Sequence, residues 1–311
     1  MGRSDLDVPT YPAVTPRQNN LLAAFPEAAW ERIGQHLQPV WLAMGQSLAA
    51  PGLTLTHAYF PTSAIVSLLN VTADGHATAT AAVGSEGLVG IALFMGGNTT
   101  PGSAIVARAG WAYRLKAESL REEFGRHGDV MHLLLRYTQA LFTQKAQTAA
   151  CNRHHSVEQQ LCRWLLLNLN RVASNELDMT HELIARMLGV RREGVSEAAG
   201  KLQQLGVIKY HRGHITVIDR PQLAALCCEC YGVVAREYDR LLDTHRPATP
   251  HMVPTPSQSP AYDADRHGRC AGGLTVGKLP AGVRRLSAST AGPLRGVTPR
   301  SSFRKPAHTT T

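Results

Sequence analysis

With 311 residues the chain can hold two domains with cores of their own. Six cysteines, at positions 151, 162, 227, 228, 230 and 270, are too few for a disulfide framework. There is no apolar run of membrane-spanning length and no apolar signal segment near the N-terminus, so a soluble, cytoplasmic protein without membrane contact is expected. The formal net charge of +9 hints at nucleic acid, but ten Lys/Arg against two acids fall in 244–311. The other 243 residues carry 22 basic and 21 acidic groups, so overall charge is no argument for DNA binding.

Residues 1–18 are Pro-rich and polar and read as a flexible arm. Asn19–Gln38 reads as a helical segment with Leu21, Leu22, Phe25, Trp30, Ile33 and Leu37 apolar. From Pro39 to about Leu115, β-prone runs recur between Gly- and Pro-containing turns: Val40–Met44, His57–Phe60, Ala64–Val71, Ala77–Val83, Ala104–Ala107 and Trp111–Leu115. Strands so spaced predict a small antiparallel barrel or roll, a sensor-like domain over 19–128.

A long helix follows, at roughly Asp129–Cys151, within a connecting segment assigned to 129–152. Met131, Leu134 or Leu135, Thr138, Leu141 or Phe142, Lys145 and Thr148 or Ala149 approximate a heptad seam. The seam points to a dimer contact, the other possibility being a packing face on the roll. Ser156 and Gln159 make a capping box ahead of Leu161, Trp164, Leu165 and Leu169.

Thr180–Ile218 carries the densest set of local signals. Thr180 suits a helix N-cap, and Leu183, Ile184, Met187 and Leu188 repeat at helical spacing. Ala185 is small enough for a close helix crossing, and Gly189 supplies the sharp turn between two helices. Val190 and Val195 re-enter the core, while Arg191, Arg192, Glu193, Ser196 and Glu197 form a polar face suited to phosphates and base edges. Leu205-Gly206 closes the second helix. Ile208–Tyr210 and Ile215–Ile218 then flank a basic turn, His211-Arg212-Gly213-His214, as a β-hairpin wing. An ordinary αα-hairpin with a solvated charged face is the competing interpretation. A last helix is expected at about Pro221–Leu242, completing a winged helix-turn-helix domain over 153–242. The basic Pro-, Gly-, Ser- and Thr-rich tail, 243–311, is expected to be disordered.

An α+β chain with an N-terminal antiparallel β-roll, a connecting dimer helix and a C-terminal winged helix-turn-helix resembles the Crp/Fnr superfamily of transcription regulators over about residues 19–242. The likeness is strongest at His57-Ala58-Tyr59-Phe60-Pro61, Gly84–Gly90, Val157–Leu166 and Ile184–Ile208. It implies a homodimer that presents two recognition helices to a palindromic operator on double-stranded DNA, with RNA polymerase as a candidate partner. By resemblance, Arg192 would be bidentate to a guanine and Glu193 would accept from a cytosine amino group. Arg191 is offered as a phosphate or base contact, Arg212 and His214 as backbone contacts, and Ser196 and Thr180 as further DNA-binding residues. Glu197 stands where the best-known members carry a third base-reading arginine, and Gly194 replaces a common threonine, so a different operator is implied.

The sensor half departs further. Where cyclic-nucleotide-binding relatives hold ribose and phosphate with a Gly-Glu and an Arg-Ser pair, this chain has Gly90-Ile91 and Gly102-Ser103. Losing the guanidinium fork and the carboxylate argues against ordinary cAMP binding, and no cofactor is expected. No cysteine precedes Cys151, which excludes an N-terminal oxygen-sensing cluster of Fnr type. Cys227, Cys228 and Cys230, taken as packed along one helix, are more often structural than metal- or redox-sensing, so no metal site is assigned. His57 and His76 have no ligand spacing around them. No nucleophile–base pair, phosphate-binding Gly loop or HExxH-like motif is found, so no enzyme is expected. The alternative function is a ligand-binding regulatory module whose winged helix serves protein contacts.

Overall fold

The computed structural model describes residues 15–75, 77–172 and 174–242. Most of the expected N-terminal arm, the basic tail, His76 and Cys270 lie outside them.

Seven strands build the first core: β1 (Gln38–Leu42), β2 (Ser47–Ala49), β3 (His57–Pro61), β4 (Ile65–Val71), β5 (Ala77–Val83), β6 (Ser103–Arg108) and β7 (Gly110–Lys116). They form two antiparallel sheets of order β1-β7-β3 and β2-β6-β4-β5, an antiparallel roll as expected. In β3, Ala58 and Phe60 are buried with no exposed area while His57 and Tyr59, alternating with them, are half-buried on the other face, the period of a strand with two unlike faces. β2 was not anticipated. It is three residues long and its register on β6 is interrupted by a bulge, so it carries too little pattern to read.

The segment expected as one helix over 19–38 is two, α1 (Asn20–Ala23) and α2 (Glu27–Ile33), and Gln38 already belongs to β1. Pro26 sits at the break: it has no N–H for a continuing helix, and its own backbone is extended (ψ 150°). Asn19 caps α1 by accepting from Leu22 N and donates its amide to the Pro61 and Gly87 carbonyls, each at 2.8 Å, which moors α1 to the roll. A further unanticipated helix, α3 (Ala117–Phe124), follows β7 and is tied to α2 by the Arg32–Glu123 pair.

α4 (Asp129–His154) runs for 26 residues, about 39 Å at 1.5 Å per residue. Val130, Leu133, Leu134, Tyr137 and Leu141 seat it in the roll core. The Tyr137 hydroxyl donates to the Leu88 carbonyl at 2.8 Å, and its ring occupies the space over Gly87, where a Cβ would come within 2.2 Å of it.

The second core belongs to α5 (Val157–Leu169), β8 (Glu176–Asp178), α6 (His181–Leu188), α7 (Arg192–Gln204), β9 (Ile208–His211), β10 (His214–Val217) and α8 (Arg220–Leu226). Leu161, Leu165, Ile184, Leu188, Val195, Leu202, Ile215 and Leu223 meet there. The capping box at Ser156 is formed: its Oγ accepts from Gln159 N, and the Gln159 side chain accepts from Ser156 N, both at 3.2 Å. The wing gains a third strand, in the order β8-β10-β9. Its turn is tighter than expected, because His211 and His214 pair across the ladder. Only Arg212 (φ 46°) and Gly213 (φ 87°) turn, both left-handed as a two-residue hairpin loop requires.

The expected last helix is likewise two, α8 and α9 (Cys230–Leu242), the latter packed along α4. Cys227 is extended (ψ 154°) and ends α8. The three late cysteines therefore do not share a helix. Among the described residues no helix is long and apolar enough to cross a membrane.

Candidate nucleic-acid interface

α6 and α7 form the helix-turn-helix. The Thr180 hydroxyl accepts from Leu183 N at 3.2 Å, and Ile184, Ala185, Met187 and Leu188 face the domain core. Gly189 ends α6 in left-handed backbone (φ 70°), and a Cβ there would lie 2.8 Å from the Thr78 hydroxyl on β5. Both constraints select glycine. The same approach lays the turn against the roll.

α7 buries Val195, Ala198, Ala199 and Leu202. Arg191, Arg192, Glu193, Ser196 and Glu197 are all exposed, as the pattern predicts. Neither Arg191 nor Arg192 makes an ion pair among the described residues, so two free guanidinium groups stand at the positive end of the α7 dipole. Glu197 is different: it accepts from Lys201 one turn on at 3.0 Å, which holds the lysine ammonium above its ordinary pKa and partly neutralises the carboxylate.

Ser196 was expected to offer its hydroxyl to DNA, but the motif itself engages that hydroxyl. It donates to the Arg192 carbonyl at 3.1 Å and meets His181 Nδ1 at 2.9 Å. His181, which sequence reasoning missed, stacks on Tyr210 with ring centroids 4.0 Å apart, so it joins α6, α7 and the wing. Burial, and then the nearby Arg192 charge, push its pKa down. Thr180 is likewise occupied, as the α6 cap.

On the wing, Arg212 is exposed at the tip. His214 is less available than expected, because register places it opposite Asp178. Its Nδ1 lies 2.6 Å from Asp178 Oδ1 and its Nε2 3.6 Å from Glu176 Oε2. The hydrogen bond to Asp178 holds its pKa above the usual histidine value. Two carboxylates beside it weaken its pull on a phosphate.

The heptad residues of α4 divide between two faces. Leu134 and Leu141, offered as dimer contacts, are 0% and 1% exposed in the roll core and have no surface left for a partner. The other alternative at each position faces out: Leu135 is 42% and Phe142 71% exposed. With the partly exposed Met131 and Thr138 they make one stripe at alternating spacings of four and three. Thr138 turns its hydroxyl back to the Leu134 carbonyl at 2.9 Å, leaving its methyl to the stripe.

Inside the roll is a cavity of about 510 Å³. Gly90, Ile91, Gly102 and Ser103, the positions departing from the nucleotide-binding pairs, all line it. The described lining holds no arginine and no carboxylate; its one full charge is Lys145, reaching in from α4, with its pKa lowered by burial. His57, which has no metal-ligand spacing around it in the sequence, is also on the wall.

A winged helix-turn-helix joined to an antiparallel roll by one long helix defines a two-part architecture. Residues 159–226 match the Crp-like helix-turn-helix domain. No curated protein matches the chain in sequence. A protein from Eubacterium rectale assigned to the Crp/Fnr family of transcriptional regulators superposes with a TM-score of 0.54 at 18% identity, over 68% of this chain and 98% of its own. FixK2 from Bradyrhizobium japonicum gives 0.53 at 16% identity, over 62% and 98%. A CRP-family transcriptional regulator from Thermus thermophilus gives 0.52 at 16%, over 60% and 95%. At such identities the likeness is one of fold. The chain carries a Crp-like helix-turn-helix domain over residues 159–226, and its fold is like that of these regulators.

Proposed function

We propose that the protein is a sequence-specific DNA-binding transcription regulator that works as a homodimer on a palindromic operator. The observation that carries this reading is the exposed start of α7, where Arg191 and Arg192 project without carboxylate partners among the described residues while the opposite face is buried. A protein-docking head would have no need of unpaired guanidinium groups there. The Leu135–Phe142 stripe is the surface we assign to the second copy, since it is apolar, exposed and heptad-spaced. The roll would then answer to a ligand other than a cyclic nucleotide: a mainly apolar cavity with one half-buried ammonium suits a small, largely apolar molecule bearing at most one anionic group.

Selection of DNA bound by the purified protein tests the reading, with and without residues 244–311. A shared inverted repeat is the expected outcome. Arg192→Ala should cost about 1–3 kcal/mol on that site and relax one base position. Equal losses on operator and random DNA would make Arg192 a phosphate contact, and no enriched repeat would refute sequence-specific binding.

A further inference from the structure

A second cluster of chemistry lies away from the DNA-facing helix and the roll cavity. Cys151 in the last turn of α4 and His155, its C-cap, stand four residues apart and share a helix face. Cys228 lies in the break between α8 and α9, and Cys230 opens α9. The break turns both toward α4. Cys151 Sγ lies 3.6 Å from Cys228 Sγ, and His155 Nδ1 lies 3.4 Å from Cys230 Sγ. All four donor atoms fall within 4.8 Å of one another. The three cysteines are buried and none is in a disulfide.

An ion held tetrahedrally by thiolates at about 2.3 Å and imidazole at about 2.0 Å separates its donors by about 3.5–3.8 Å. The two close contacts here match that cage. An iron–sulfur cluster would spread the thiolates around several irons and needs a wider opening.

The surroundings also fit. His155 Nε2 is 3.4 Å from Glu229 Oε1, so a carboxylate can take the outer N–H and leave Nδ1 as the donor atom. Gln147 Nε2 donates to Cys230 Sγ at 3.1 Å, as it would to a thiolate. Arg163 is 4% exposed and its field falls on Cys151. It gives Nη1 to Thr148 Oγ1 at 3.0 Å, while its Nε finds no partner among the described residues. A divalent ion with three thiolates carries one net negative charge. That charge offsets the burial cost of a guanidinium that has no ion-pair partner among the described residues.

We propose that Cys151, His155, Cys228 and Cys230 form a Cys3His site for one divalent ion of the Zn²⁺ class, which clamps the end of α4 to the α8–α9 junction. The site sits where the connecting helix passes into the winged domain, since Ser156 caps α5 directly after His155. Binding releases the thiol protons to solvent, and the ion joins two segments more than seventy residues apart in sequence, as structural zinc does elsewhere. Ion binding stands or falls independently of DNA recognition.

The full chain, purified under reducing conditions and stripped with a chelator, is titrated with Co²⁺ and then with Zn²⁺. One Co²⁺ per chain should bind, with the intense visible bands of tetrahedral cobalt and thiolate-to-metal charge transfer, and one equivalent of Zn²⁺ should bleach both. Cys228→Ser and His155→Gln should abolish or strongly weaken the signal. Glu229→Gln should weaken binding about tenfold, and Cys162→Ala should leave it unchanged. Circular dichroism of stripped and reloaded wild-type protein separates loss of the site from loss of the fold. A reduced, folded chain that takes up no ion, an octahedral cobalt spectrum, undiminished uptake in both ligand variants, or iron with acid-labile sulfide would overturn the assignment.

Discussion

Arg171→Met probes what holds the winged domain against the roll. Arg171 lies just past α5, and its side chain is 5% exposed. Its Nε donates to Glu86 Oε1 at 2.7 Å, its Nη2 to the Ala82 carbonyl at 2.9 Å, and its Nη1 to the Leu167 carbonyl at 2.8 Å. Its aliphatic stem covers Gly84, where a Cβ would come within 2.8 Å. Methionine keeps most of that stem and removes every donor. Breaking a buried ion pair from one side costs about 3–5 kcal/mol, because the abandoned charge stays buried. Glu86 is 17% exposed and its Oε2 still accepts from Gly84 N at 3.1 Å, which favours the lower end, about 3 kcal/mol. At roughly 2–4 °C per kcal/mol for a chain of this size, the unfolding midpoint should fall by roughly 6–12 °C. Thermal unfolding followed by circular dichroism reads this directly. Adding Glu86→Gln should restore part of the loss, since no charge is then stranded. A midpoint unchanged within about 1 °C, against that roughly 6–12 °C fall, would refute the reasoning and leave apolar packing as the tie between the domains.

Phe142→Asp should split the proposed dimer, as each of two symmetric copies would lose about 1.5–3 kcal/mol of apolar burial, roughly a 10²- to 10⁴-fold weaker association. Sedimentation checks it, and an unchanged mass would move the dimer contact off α4; the fold should survive because Phe142 is 71% exposed. Glu123 should make stability pH-dependent. The Arg32 guanidinium, bonded at 2.5 and 2.8 Å, holds its carboxyl below the usual carboxylate range despite burial. A depressed folded-state pKa contributes stability above the unfolded value of about 4.3, lost as pH falls through the folded value. Melting curves of Glu123→Gln from neutral to acid pH should be flatter than wild type, and parallel curves would remove Glu123 from the acid response.

The parts that were legible in the sequence are those where a local rule has one solution. Thr180, Gly189 and the Ser156–Gln159 box each satisfy backbone groups within a few residues, so neighbours in the chain suffice to read them. The exposed face of α7 follows from the same helical period. Long-range choices were not legible. Periodicity could not decide between Leu134 and Leu135, because both fit the seam until the roll claims one face. His214 read as a contact to the DNA backbone until strand register set Asp178 beside it. The α8–α9 break carries neither Gly nor Pro at 227–229, so composition read through it as continuous helix. Its consequence, four donors from two distant segments, exists only once α9 has packed along α4.

One helix, α4, contributes to three of the features proposed for this protein. Along α4, Leu135 and Phe142 face the proposed second copy, Lys145 enters the roll cavity, and Cys151 with His155 holds half of the metal cage. A rigid helix transmits displacement along its length, so a ligand at Lys145 and an ion at Cys151 would act on the same element that, in the proposed dimer, spaces two DNA-binding heads. Linkage then constrains the behaviour without further detail. If loading the cage changes operator affinity by some factor, operator must change ion affinity by that factor, and a ligand in the roll is bound by the same reciprocity. An ion that binds tightly yet leaves operator affinity untouched would make the cage a fastening of the fold, whereas any coupling at all makes it an input to the switch.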